Sequence, residues 1–146
     1  MLRVALIALL LATPAAAQQF DFSKTIPYPV GAIPITASSG NVAAATATCT
    51  LPALAGKTTY LTGFVITAGG ATAAAVVTGS VSGIVNGPDS FTYGAPAGAT
   101  AYATPLVVMS HFGLPGTAIN TAIVISMPSL GAGNTNTTIT CSGYQN

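Results

Sequence analysis

His111 is the chain's one imidazole, and only two carboxylates, Asp21 and Asp89, are available to orient it. Nucleophilic catalysis needs a nucleophile, a base and an orienting group. Serines are plentiful, so the inventory alone permits a triad. The spacing does not favour one: Gly79-Ser80-Val81-Ser82-Gly83 places valine where a nucleophile elbow requires serine. His111 falls at the end of a strand-like run beside Phe112-Gly113, and reads as a structural or surface histidine. A glycosidase pair would have to be Asp21 and Asp89, held about 5 to 10 Å apart, yet one lies in a proline-rich arm and the other follows Pro88 in a turn. One histidine, two scattered aspartates and two cysteines expected to pair with each other make no metal-ligand cluster. Asn136-Thr137-Thr138 matches the N-glycosylation pattern, which we read as chance beside a bacterial-type export signal. The expectation is a non-enzyme with no catalytic residue, no metal and no cofactor.

The supply of charge is as limiting as the supply of catalytic groups. Charged residues make up 3% of the chain, against about a quarter in an ordinary globular domain. Outside the first residues only Asp21, Lys24, Lys57 and Asp89 carry full charge, and they cancel. There is no basic patch for a phosphate backbone or an anionic lipid surface, so nucleic acid is not an expected partner. A surface this poor in charge also has little repulsion to keep copies apart. Assembly or binding is therefore favoured over catalysis.

Met1-Leu2-Arg3, the apolar run Val4 to Ala12 and the small residues Ala15-Ala16-Ala17 read as a secretory signal, with cleavage expected after Ala17. The run is short of the roughly 20 residues a membrane-spanning helix needs, and no later stretch suggests a span. Localisation is expected to be secreted, periplasmic or at the cell surface. In such a compartment Cys49 and Cys141 favour pairing. Residues 18–39 contain Pro27, Pro29 and Pro34, spaced against both helix and ladder strand. They read as an extended arm whose side chains, Phe20, Phe22, Ile26 and Tyr28 among them, should lie on the arm's own domain or on another subunit.

The remaining residues, 40–146, alternate with period two. Between Ala43 and Leu51 the odd positions are apolar, with Cys49 among them and Thr46, Thr48 and Thr50 opposite. Thr137, Ile139, Cys141 and Gly143 likewise share a face. Thr58 to Ala68 is apolar on both faces, with Tyr60, Phe64 and Ile66 on one and Leu61 and Val65 on the other, and should be buried on both sides. Gly69-Gly70 reads as a hairpin turn into Ala73 to Val85, where Val77, Val81 and Val85 point inward. Asn86 to Asp89 is a second turn, Ser90 to Tyr93 a short strand, and Gly94 to Pro105 a surface loop with Tyr102 as its large side chain. Leu106 to Phe112 returns as a strand, Leu114-Pro115-Gly116 as a turn, and Ala122 to Met127 as a strand with Ile123, Ile125 and Met127 on one face. The expected fold is all-β: an antiparallel, jelly-roll-like β-sandwich of about seven strands with an extended N-terminal arm.

Gly56 to Phe64 (GKTTYLTGF), Asn120 to Ile123 (NTAI), the closing Ser142 to Gln145 (SGYQ) and Ile33 to Thr36 (IPIT) resemble a group of small β-rich proteins encoded in bacterial, phage and prophage genomes. The resemblance implies a surface- or virion-associated β-sandwich and carries no catalytic residue over. An export signal departs from a virion part assembled in the cytoplasm. The leading expectation is a non-catalytic, exported structural protein that self-associates, as a trimer or another cyclic homo-oligomer, on a cell surface or a phage-like particle. The alternative is a small carbohydrate- or surface-binding module, with Tyr93, Tyr102 or Tyr144 as stacking platforms and Asn134 and Asn136 as hydrogen-bonding groups. The short threonine row Thr46, Thr48 and Thr50 raises adsorption to ice or another flat surface as a third reading.

Overall fold

The computed structural model describes residues 28–98, 101 and 103–146. Among them the chain forms eight strands and no helix: β1 (Ile33–Ser38), β2 (Ala47–Leu51), β3 (Thr59–Gly69), β4 (Ala75–Ser82), β5 (Asp89–Ala95), β6 (Leu106–Pro115), β7 (Ile123–Met127) and β8 (Asn136–Gln145). They make two four-stranded antiparallel sheets, ordered β1-β8-β3-β6 and β2-β7-β4-β5. Only the β4–β5 connection stays within one sheet. Every other connection crosses between them.

One hydrophobic core fills the space between the sheets. Its members come from both layers: Leu61, Phe64, Ile66, Ile139 and Cys141 from the first, and Ala47, Cys49, Leu51, Val81, Tyr93, Ile123, Ile125 and Met127 from the second. The alternation expected for β2 and β7 is present, and on β8 it holds from Asn136 to Gly143 and ends at Tyr144, which is buried although it belongs to the outward face. Cys49 and Cys141 are disulfide-bonded, with their Cα atoms 6.3 Å apart. The bridge ties β2 to β8 and so joins the two sheets across the core, rather than linking neighbouring strands.

The eighth strand is β1, which lies inside the segment read as an arm. It pairs with β8 from Ile33↔Gln145 to Ser38↔Thr140, with Pro34 opposite Tyr144. Pro34 does not break the ladder because β1 is an edge strand, where one side of the backbone has no neighbour to donate to. Gly69-Gly70 does not close a hairpin either. β3 and β4 belong to different sheets, and Gly70, at φ +87°, turns the chain out of the first layer with its N–H on the Ala101 carbonyl.

β3 corrects the expectation of a strand buried on both faces. The register against both neighbours shifts between Leu61 and Gly63, so Thr62 sits at a bulge and Leu61 and Phe64, three apart, both point into the core. Tyr60 and Val65 then face outward. On β4, Val81 is buried and Val77 half-buried, whereas Val85 lies past the strand and is exposed. Leu114-Pro115-Gly116 is not a turn: β6 runs to Pro115, Gly116 bridges to Ile84, and the chain turns later, at Thr117–Asn120.

Candidate assembly surface

β6 is the outermost strand of the first sheet, bonded to β3 on one side and, among the described residues, to no strand on the other. Its sequence, LVVMSHFGLP, has no aspartate, glutamate, lysine or arginine. Of the twelve large hydrophobic side chains exposed among the described residues, five are on this strand: Val107, Val108, Met109, Phe112 and Leu114. Met109 is 75% and Phe112 91% exposed. Val65, across the ladder from Val107, extends the apolar strip onto β3. The same register shift that bulges β3 leaves Ser110 to Gly113 opposite Thr62 alone, so β6 runs regularly from Leu106 to Met109 and then bows out. Phe112 sits on that bow.

An aromatic cluster anchors the bow. Tyr144 of β8 stacks on Tyr60 of β3, ring centroids 4.6 Å apart, and Tyr28 tilts against Tyr144 at 5.5 Å. The Tyr144 hydroxyl donates to the Phe112 carbonyl at 3.3 Å, and Gly113 packs so close that a Cβ there would press on the Tyr144 ring. Burial, and then the neighbouring Tyr60, push the Tyr144 hydroxyl above its ordinary pKa.

Between the free edges of the two sheets lies a slot of about 160 Å³, lined by Phe64, Phe91, Val108, Leu114 and other side chains, with Thr62, Asp89, Ser90 and Ser110 as its polar groups. Phe91 enters it over Gly79, where any side chain would collide with the ring.

The residues that could do chemistry lie on different elements. Asp89 opens β5 at the slot, His111 lies on β6, and Asp21 is outside the described residues. No group of three or more histidine, cysteine or acidic residues is close enough to hold a metal ion among the described residues. Among the described residues no helix is long and apolar enough to cross a membrane.

Of the tyrosines expected as stacking platforms, Tyr93 and Tyr144 are not available for that work. Tyr93 is 3% and Tyr144 5% exposed, so neither ring offers a face to a sugar; the alternation that marks Tyr93 as inward is visible in the sequence, but Tyr144 is covered by neighbours distant in the chain. Tyr102 lies outside the described residues, as do Phe20, Phe22 and Ile26 of the arm, while Tyr28 packs on its own domain. Asn134 is a buried pin rather than a surface group: its side chain donates to the Gly69 carbonyl at 3.0 Å and accepts from Thr137 Oγ1, Ser129 Oγ and the Leu130 N–H. Asn136 is half-buried and donates to Thr135 Oγ1. Thr48 and Thr50 stand exposed on β2, with Thr46 just before it.

The four stretches IPIT, GKTTYLTGF, NTAI and SGYQ converge at one end of the molecule. Gln145 pairs with both Ile33 and Thr59, and Asn120 holds the Gly56 N–H on its side chain while donating its own N–H to the Lys57 carbonyl. No family model matches the chain, and neither does any curated protein or solved structure.

Proposed function

We propose that this protein is a non-catalytic structural component that works by self-association, exported to a cell surface or a phage-like particle. The observation that carries the reading is the concentration of exposed apolar side chains on β6, a strand with no full charge and a free outer edge. Near-neutral composition supports it, since copies meet little repulsion. The strand order β1-β8-β3-β6 over β2-β7-β4-β5 supports reading the two sheets as an eight-stranded jelly roll, an architecture found in capsid and lectin domains. That range of hosts fits assembly and ligand binding alike, so the choice rests on the surface. The signal-like residues 1–17 support export, and the disulfide agrees with an oxidising compartment.

The test is native mass by sedimentation equilibrium over micromolar concentrations, with and without reductant. A discrete homo-oligomer is expected. A monomer throughout the range would reject self-association. A second reading, a small binding module, is favoured by the apolar slot with Asp89 at its rim; it becomes the better account if the protein stays monomeric and its intrinsic fluorescence responds to a small apolar ligand.

A further inference from the structure

We propose that two copies of this chain join edge to edge through β6, pairing antiparallel about a two-fold axis centred on Val108 and making one continuous eight-stranded sheet. The inference rests on the self-association reading and specifies its interface. Among the described residues four strand edges are free in the two sheets, and three of them resist such pairing. β1 carries Pro34, which removes a donor. β2 is five residues long. β5 carries Asp89, a full charge on its edge that works against an added strand. β6 is ten residues long, its segment Leu106–Met109 is regular against β3, and it has no aspartate, glutamate, lysine or arginine to oppose a copy of itself.

Parity sets the register. Residues directly opposite in an antiparallel ladder share a face of the sheet, so a two-fold centred on Val108 puts Val107 of each copy against Met109 of the other. Both residues are more than half exposed in the single chain, at 55% and 75%. The pairing covers them and at the same time satisfies backbone groups along the free edge, which is the way an added strand gains affinity. The bow at Ser110 to Gly113 ends the regular edge on one side, which keeps the added ladder short and its register defined.

The experiment compares the whole chain with three variants. Met109→Lys, at an exposed position, should keep the circular dichroism of the fold and weaken the dimer about 100-fold or more, because it places two lysines near each other across the new ladder. Val108→Cys should oxidise to an interchain disulfide, since position 108 faces its own copy with Cβ atoms about 5 Å apart. Val76→Cys, 75% exposed on β4, is the control and should not cross-link. An oligomer that persists in Met109→Lys, together with no cross-link in Val108→Cys, overturns the β6 interface while leaving self-association standing. A wild-type chain that is monomeric throughout overturns both. If Met109→Lys fails to fold, the cross-linking contrast between Val108→Cys and Val76→Cys decides alone.

Discussion

Tyr60 and Tyr144 lie directly opposite one another on β3 and β8 and stack with their ring planes 8° apart. The pair lies on the outer face of its sheet, where Tyr28 covers it, and it fixes three separate parts of the chain: the approach to β1, the start of β3 and, through the Tyr144 hydroxyl, the bow of β6. Tyr144→Ala should therefore cost about 3 to 5 kcal/mol, as other buried aromatic truncations do. Tyr144→Phe keeps the stack and loses one hydrogen bond, for about 1 kcal/mol. Urea midpoints of the two variants separate the ring's contribution from the hydroxyl's.

Tyr93 presents the opposite case. Its hydroxyl is enclosed and has no hydrogen-bond partner among the described residues. Burial raises its pKa, and the neighbouring Ala68 backbone offsets part of that rise. Removing an unsatisfied buried hydroxyl is expected to stabilise, so Tyr93→Phe should raise stability by about 1 kcal/mol. The pH dependence follows from the same burial: a tyrosine whose folded pKa lies above its unfolded value of 10.0 contributes fully below that value and loses its contribution as pH rises through the folded pKa. Wild-type stability should hold steady to pH about 10 and then fall, and the fall should be shallower in Tyr93→Phe.

Asn134 joins the loop between β7 and β8 to the end of β3 with both ends of its amide engaged. Asn134→Leu leaves the Gly69 carbonyl and the Thr137 hydroxyl without this partner, and should cost about 3 kcal/mol or more. Asn134→Asp keeps the acceptor and loses the donor, and should also destabilise. Thermal melts of both variants test whether the amide is the pin, since an isosteric carboxylate would be harmless if shape alone mattered.

Gly79 and Phe91 lie opposite one another on β4 and β5, and the ring occupies the space a Cβ would need. Gly79→Ala should destabilise by about 1 to 3 kcal/mol through overpacking. Phe91→Leu in the same chain should recover part of that loss, because the smaller side chain vacates the site. Additive losses in the double variant would argue against the collision as the cause.

What the sequence disclosed depended on how local the determining contacts were. β2, β7 and β8 were legible because alternation reports directly which face is covered, and it placed Cys49 and Cys141 inward without the structure. β3 defeats a period-two reading because one bulge at Thr62 converts a single buried face into an apparent two-faced pattern. β1 has no local signature because Pro34 argues against a ladder unless the strand is known to be an edge, and that is a property of its pairing with β8 more than a hundred residues away. The Gly69-Gly70 signal was real as a turn, but local chemistry does not say whether a chain turns within a sheet or crosses to the other. The exposed strip on β6 had no signature of its own: LVVMSHFGLP reads as an apolar strand, and only its place at the end of the order β1-β8-β3-β6 makes it a surface.

The disulfide spans 92 residues and joins strands in different sheets, so it constrains the unfolded chain over most of the folded domain. Loop entropy for so long a closure corresponds to about 4 to 5 kcal/mol, with less often realised. Replacing Cys49 and Cys141 together with serine also buries two hydroxyls in a position that is fully enclosed, so the alanine pair is the cleaner variant. Cys49→Ala with Cys141→Ala should lower the urea midpoint sharply without changing the far-ultraviolet circular dichroism, because the strands keep their ladders. Non-reducing peptide mapping of the protein should recover the Cys49–Cys141 peptide pair. Recovery of two free thiols, or of a midpoint indifferent to reductant, would show that the two sheets are held by the core alone.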